Sequence, residues 1–539
     1  MQSREKPPER VGTLSRRRLL QSVAALSVLG GCTAETSKVR SLGASPTRLP
    51  TELVAPPVPV DAQSFVSRPD LKPPKITLTG SEAFSSLSGA PGYFFLAPRS
   101  TGATLPNGAV AGPMILDVKG DLIWFHPSDV PPIFNFTPQT YHGAPVLTWW
   151  SGRTGPTYGQ GTYTILDNSY RLIAHVSGVE GLKGDLHEFV ITPQDTALFT
   201  AYETTHAEGQ LVVQGVACEV DVATNDVVLT WRSLDPSHVG LSESFVARPA
   251  KDTDLWDYFH INSIDLWPGP ERDLLISARN TCAVYLVSRR TGDITWRLGG
   301  KRSDFQMSDL TRFWWQHDAR ALSDGSGVSL FDDASDPVER TKGDPQSRAI
   351  VLSFGPGDDG VSLSHQCIHS DTPASNNEAA FMGNTQLLPA GGYFVGWGGG
   401  MPYFSGFGPP GDALEAPLIL DGRLPSGCFS YRSYAADWTG DPPVNELALV
   451  VRPSKSTSDR WDGYVSWNGA TEVASWRLQA GTLPGSPSTS SLVPRTGFET
   501  SATLTVDGSA SKPPSFQAQA LDRSGKFLGE SAIVRPSGM

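Results

Sequence analysis

Basic charge is in short supply. The 539 residues hold 43 Lys/Arg against 55 Asp/Glu, a net charge of −12. Residues 1–31 contribute six Lys/Arg and two Asp/Glu, so the remainder carries −16. A surface this acidic excludes a nucleic-acid partner, which needs a basic face, and a polybasic membrane patch. Long apolar runs are lacking too. The run from Leu19 to Leu29, interrupted by Gln21, Ser22 and Ser27, is too short to span a bilayer as a permanent helix. Charged residues make up only 18% and long amphipathic stretches are few, whereas Gly (54) and Pro (44) are frequent. That balance predicts an all-β chain rich in turns, long enough for two or more folded units. Cysteine is scarce, at five. Cys218, Cys282, Cys367 and Cys428 allow three full disulfide pairings or four buried thiols, and the sequence does not choose between them.

What the N-terminus does contain is an address. Ser15-Arg16-Arg17-Arg18-Leu19-Leu20 is a twin-arginine pattern, and Leu29-Gly30-Gly31-Cys32 is lipobox-like. Together they predict a twin-arginine lipoprotein signal over 1–31, cleavage before a lipidated Cys32, and anchoring on the outer face of the cytoplasmic membrane or in the periplasm. Residues 32–80, with runs such as Ala55-Pro56-Pro57-Val58-Pro59, are expected to form a Pro/Ser/Thr-rich tether.

From about 81 to 442 one theme recurs: a short apolar run, a Pro/Asp/Gly turn and a second apolar run. Four copies align at His187, His260, His317 and Asn384, separated by 73, 57 and 67 residues. Each interval holds four short strands. Met114–Asp117 with Leu122–Phe125, and Thr162–Asp167 with Arg171–Ala174, fit as further units. The expectation is a six-bladed β-propeller, with Thr291-Gly292-Asp293 as one hairpin turn. Equivalent positions then stand at equivalent places around the axis, so three imidazoles and an amide converge on the hub. Residues 443–539 read as a small β-sandwich of immunoglobulin or fibronectin type, with Trp467 and Trp476 in its core.

Several runs point further. They include Val146-Leu147-Thr148-Trp149-Trp150, Asp185-Leu186-His187-Glu188-Phe189, Asp257-Tyr258-Phe259-His260-Ile261-Asn262-Ser263, Leu275–Asn280, Trp296–Lys301 and Trp315-Gln316-His317-Asp318-Ala319. In this order and spacing, over roughly 110–440, they resemble the arylsulfotransferase family, in its actinobacterial and fungal-like branch. The resemblance implies a propeller that moves a sulfuryl group from an aryl sulfate to a phenol by a ping-pong route, without a nucleotide sulfate donor or other cofactor. It implies His317, in its Gln-His pair, as the histidine that becomes sulfated. His260 and Asn262 match the family's His-x-Asn-Ser motif, Arg279 its Ser-x-Arg motif, and His187 and Asn384 further site positions. His317, His260 and Arg279 are thus the expected catalytic residues, and His187, Asn262 and Asn384 the expected substrate contacts. The family's threonine before the last asparagine is absent, since Phe381-Met382-Gly383 stands there. The family's N-terminal dimerisation sandwich is also unmatched, so oligomeric state stays open.

The chemistry agrees with the residue types. Imidazole is nucleophilic and mostly neutral near pH 7. Arginine offers a planar fork to sulfuryl oxygens. His260 and Asn262, two residues apart, should share one face of their strand, whereas Asp318, beside His317, should face the other side of its strand. Trp149, Trp150, Trp314 and Trp315 are as apt for packing as for stacking on an aryl group. Glu188, Glu203 and Glu243 are expected on the solvated surface, and His365 and His369 in structural places. Two rival classes remain: a metal-dependent hydrolase using the histidine cluster, and a surface-tethered binding propeller without catalysis. Arg279 beside the cluster disfavours the metal.

Overall fold

A computed structural model describes residues 62–536, apart from 101–104, 106–107, 129–131, 236–237, 336–345, 356–359, 370–378, 390, 400, 402, 455–458, 485–486 and 507–513. The twin-arginine pattern, Cys32 and most of the expected tether lie outside these residues. No helix among the described residues is long and apolar enough to cross a membrane.

The chain is all-β and propeller-like. Each group is an antiparallel four-strand meander, the arrangement that short apolar runs and tight turns dictate. The second group comprises Ile133–Tyr141, Ala144–Thr154, Gly159–Leu166 and Leu172–Val176; the third, Leu182–Ile191, Thr196–Ala207, Gln210–Asp221 and Val227–Arg232. These two merge where Gly184 pairs with Gly161. The fourth group is Ile261–Leu266, Leu274–Ala278, Ala283–Val287 and Ile294–Gly299. The fifth is His317–Ala321, Gly327–Asp332, Arg348–Phe354 and Val361–Cys367. The sixth is Asn384–Leu387, Tyr393–Gly396, Tyr403–Phe407 and Leu418–Arg423.

The first group joins the two ends of this region. Its innermost strand, Ser433–Ala436, comes from the far end and pairs with Tyr93–Leu96, which continues into Met114–Asp117 and Leu122–Phe125. The first strands of successive groups neighbour one another, and Ser433–Ala436 lies against both the sixth and the second group. The ring of first strands is therefore closed.

The expected tether ends earlier than residue 80. Thr77–Thr79 adds an edge strand to Leu418–Arg423, and Leu71 and Ile76 are buried in the core with Phe84, Phe94 and Phe404. These two isolated apolar residues in a polar, Pro-rich stretch fill gaps against an existing sheet rather than forming a core of their own.

Beyond residue 443, Leu447–Pro453, Arg460–Trp467 and Glu499–Thr505 form one sheet. Ser475–Gly481, Pro487–Pro494, Ser515–Leu521 and Phe527–Glu530 form a second. Both contribute to one core, including Trp461, Trp467, Trp476 and Phe516. The Pro487–Pro494 strand is polar and lies at a sheet edge, so it carries no apolar alternation to betray it. Near the end of the unit, Val534 joins the sheet only through an isolated bridge to Phe516. Asn468 exchanges hydrogen bonds with the backbone of Phe125, which fastens this unit to the first group. The four described cysteines are buried, and no two of them form a disulfide.

Candidate active site

The hub geometry begins with a backbone irregularity. In the second to fifth groups the innermost strand pairs with its neighbour through a register shift: Phe134/Thr137, Gly184/Phe189, Ile261/Ser263 and His317/Arg320. Such bulges break strict alternation and re-aim side chains. Asn135, His260 and Asp318 accordingly sit at positive φ, between 53° and 58°. This corrects one expectation: His260 and Asn262 do not share a face as partners on a regular strand.

His187, His260 and His317 are brought together. The rings of His187 and His260 stand 4.9 Å apart, edge to face. His317 is the deepest, 1% exposed against 7% and 8% for the other two. Each imidazole bonds through Nδ1 to a buried or nearly buried carboxylate: His187 to Asp185 at 2.5 Å, His260 to Asp257 at 2.6 Å and His317 to Asp333 at 2.5 Å. The Trp315 carbonyl, which can only accept, lies 3.1 Å from Nδ1 of His317, and the Met382 N–H points to its Nε2 at 3.3 Å. Both contacts select the tautomer with its proton on Nδ1 and its lone pair on Nε2. Burial, reinforced by Arg279, His187, His260 and Arg432, holds the His317 pKa well below the ordinary 6.5, so the ring is neutral. Burial also lowers the pKa of His260, against the pull of Asp257.

Arg279 opens a short turn, Arg279–Thr281, whose backbone docks on His260: the Arg279 N–H donates to the His260 carbonyl at 2.9 Å. Its guanidinium lies 4.3 Å over the Trp315 ring and donates to Asn280 at 3.1 Å. Its Nε has no partner, nor have Asn262 Oδ1, Gln316 Oε1, Asp257 Oδ1 and Asp333 Oδ1. Unsatisfied polar atoms gathered in one buried region mark a site prepared for a polar ligand or ordered water.

Asn262 and Asn384 have other engagements. Asn262 Nδ2 donates to the Gln316 carbonyl at 2.6 Å, fixing the segment that presents His317. Asn384 donates to the Ser433 carbonyl at 2.8 Å and accepts its N–H at 2.9 Å. Asn135 similarly donates to the His187 carbonyl. By these bonds Asn384 corresponds to Asn262 and Asn135, each reaching the next inner strand, and not to the imidazole positions.

Several site residues escaped the sequence. Beneath the histidines lies a buried ionic cluster. Arg432 pairs with Glu188 at 2.8 Å, and Arg320 pairs with Glu188 and Asp318 at 2.6 Å each. Glu188 and Glu243 are thus buried and paired, contrary to the surface expected for them; Glu203 is half-buried and bonded to Arg232. Burial opposes the Glu188 charge, but Arg320 and Arg432 outweigh it and hold its carboxyl below the usual range. Tyr202 and Tyr431 flank His187. Asp185 and Asp257 stand two and three residues before their histidines, a spacing that could have flagged them. Asp333, sixteen residues after His317, gives no such signal.

Trp149 and Trp150 are packed in apolar clusters, and Trp314 meets Phe245 edge to face. His369 pairs with Asp421 and stacks on Tyr403, away from the hub. Among the described residues, no three His, Cys, Asp or Glu side chains are grouped so as to hold a metal ion.

Fold and site together define an all-β, propeller-like protein whose hub gathers three histidine–carboxylate pairs beside an arginine. Residues 137–401 match the family described as Arylsulfotransferase (ASST), which supports an arylsulfotransferase-family protein. The match supports a transferase and suggests aryl sulfotransferase activity, with aryl sulfates and phenols as the implied substrates. No curated protein matches the chain. Among solved structures it is similar to the periplasmic gluconolactonase PpgL of Pseudomonas aeruginosa: 11% identity over 77% of this chain and 99% of that one, TM-score 0.36. It is also similar to a functionally unknown protein from Desulfotomaculum acetoxidans (11% identity, 59% and 92% covered, TM-score 0.32) and to Sqt1 of Saccharomyces cerevisiae (8%, 67% and 90%, 0.29).

Proposed function

We propose that the protein transfers a sulfuryl group from an aryl sulfate to a phenol in two steps, with His317 Nε2 as the carrier. The observation that carries this reading is the fixed state of His317: a neutral ring, its proton held on Nδ1 by Asp333 and the Trp315 carbonyl, its lone pair on Nε2. Among the described residues, only the weak 3.3 Å contact from Met382 competes for that lone pair. Attack on sulfur forms the Nε2–S bond and breaks the S–O bond, and the aryl oxide leaves with its electron pair. A phenolate then takes the group from His317 in the reverse sense. Arg279, stacked on Trp315, offers N–H donors to the negative sulfuryl oxygens. His260, its pKa lowered by burial and its Nδ1–H held by Asp257, keeps a lone pair on Nε2 and is the group we assign to taking the proton of the acceptor phenol.

Initial rates test the two-step route. Varying the aryl sulfate at several fixed phenol concentrations should give parallel double-reciprocal lines, and intersecting lines contradict the carrier.

We also propose export by the twin-arginine route and anchoring through a lipid on Cys32, on the outer face of the cytoplasmic membrane or in the periplasm. The Ser15–Leu20 and Leu29–Cys32 motifs support this. Cell fractionation should find the wild-type protein with membranes and Cys32→Ala released from them; wild-type protein in the cytoplasmic fraction contradicts the anchor.

A further inference from the structure

The carboxylates behind the three histidines are not alike. Asp185 is fully furnished with donors. It receives the Gly159 N–H at 2.5 Å, the His187 N–H at 2.9 Å, the Thr200 hydroxyl at 3.1 Å and His187 Nδ1 at 2.5 Å. A carboxylate so surrounded keeps its charge. Asp333 is 0% exposed, accepts from His317 Nδ1 through Oδ2, and leaves Oδ1 without a partner. A buried carboxylate with an orphaned oxygen is costly as an anion and gains by taking a proton.

We propose that Asp333 is the proton store of the transfer site: it takes the Nδ1 proton of His317 as Nε2 bonds to sulfur, and returns it as the group leaves. The inference rests on the sulfohistidine reading. At rest His317 carries its proton on Nδ1 and Asp333 accepts that hydrogen bond. In the first step the Nε2–S bond forms, the S–O bond breaks and the aryl oxide departs with the pair. The ring would then be an N-sulfo imidazolium, strongly acidic at Nδ1, and its proton moves to Asp333 Oδ2. The ring becomes neutral and holds the sulfuryl group more firmly, since a neutral imidazole is a better leaving group from sulfur than an imidazolide. When an acceptor phenolate attacks, the Nε2–S pair returns to Nε2 and the proton returns to Nδ1. Charge balances in both steps. Asp333 is a positioning residue, because it acts through His317.

The groups facing this pair favour the shuttle. Arg279, His187, His260 and Arg432 disfavour positive charge on His317. Burial pushes the Asp333 carboxyl well above its usual range, with Asp332 adding to this against the pull of Arg279. Burial likewise opposes the Asp185 charge, but His187 and the backbone donors win and hold that carboxyl below its usual range.

Two measurements on the full chain test the store. Asp333→Asn keeps an oxygen to orient Nδ1 but cannot take its proton. Charged with phenyl sulfate and freed of donor, it should lose SO3 to water about 10²-fold faster than wild type, followed by intact mass. An unchanged lifetime with slower charging alone would reduce Asp333 to an orienting role and overturn the proposal. If Asp333→Asn does not fold, 15N-histidine-labelled wild type decides. On charging, the Nδ1 resonance of His317 should move from the protonated to the unprotonated range, and a retained Nδ1 proton overturns the proposal. A wild-type protein that never gains SO3 overturns the sulfohistidine reading itself, a result distinct from either of these.

Discussion

At the residue scale, function rests on the state of one ring. His317 has no solvent to stabilise its charge, and Arg279, His187, His260 and Arg432 all resist its protonation. Its lone pair therefore stays available below pH 6.5, where a free imidazole is mostly protonated. The sign follows directly: a lowered folded pKa moves the acid limb of the activity profile to lower pH. Transfer rates should hold steady from pH 7 to below 6.5. In Arg279→Ala one opposing cation is gone, the His317 pKa rises, and the acid limb should move to higher pH. A limb that does not move, or moves downward, contradicts the electrostatic account. Arg279→Lys keeps the charge but loses the planar fork and the stack on Trp315. It should cost about 10²-fold in kcat/KM, read from initial rates.

At the scale of elements, the innermost strands of the second and third, fourth and fifth, and sixth and first groups are tied by side chains as well as by packing. Gln386 exchanges two hydrogen bonds with Ala435, as Asn384 does with Ser433. Gln139 reaches Phe189 and Ile191, and Ser263 and Asp265 accept the N–H groups of Ala319 and Ala321. Asn384→Ala would leave a buried N–H and carbonyl of Ser433 unpaired, at about 1–3 kcal/mol. Chemical denaturation should show that loss while the substrate KM changes little. A large KM change at unaltered stability would instead make Asn384 a substrate contact. This scale also explains what the sequence disclosed. The strand–turn–strand theme and the three hub histidines were readable because apolar runs, turn residues and rare imidazoles leave local marks. The bulges were not: nothing in Phe259-His260-Ile261 announces a positive φ, so His260 and Asn262 looked like partners on one face. Nor were Asp333 and Arg432 readable, since they meet His317 and Glu188 only through closure of the fold. Glu188 looked like surface because its two arginines lie 132 and 244 residues away.

At the scale of the molecule, closure by Ser433–Ala436 does two things. It pairs the end of the region with Tyr93–Leu96, and it delivers the adjoining Tyr431 and Arg432 to the hub. Arg432 is wholly buried between Glu188 and Asp318, so removing it leaves two buried carboxylates to share Arg320 alone. Arg432→Ala should therefore destabilise the whole fold by about 3–5 kcal/mol, measured by denaturant unfolding. A loss confined to activity would contradict its role in holding the hub together. The seven-strand unit beyond residue 443 is fastened at Phe125, and none of the hub side chains comes from it. The account stands on His317 as the carrier, and intact mass of the purified full chain after brief exposure to phenyl sulfate without acceptor tests that most directly. It predicts the gain of one SO3, mapped by peptide sequencing to His317, discharged by added phenol and absent from His317→Ala. A wild-type protein that turns over phenyl sulfate and phenol without ever gaining mass would contradict it.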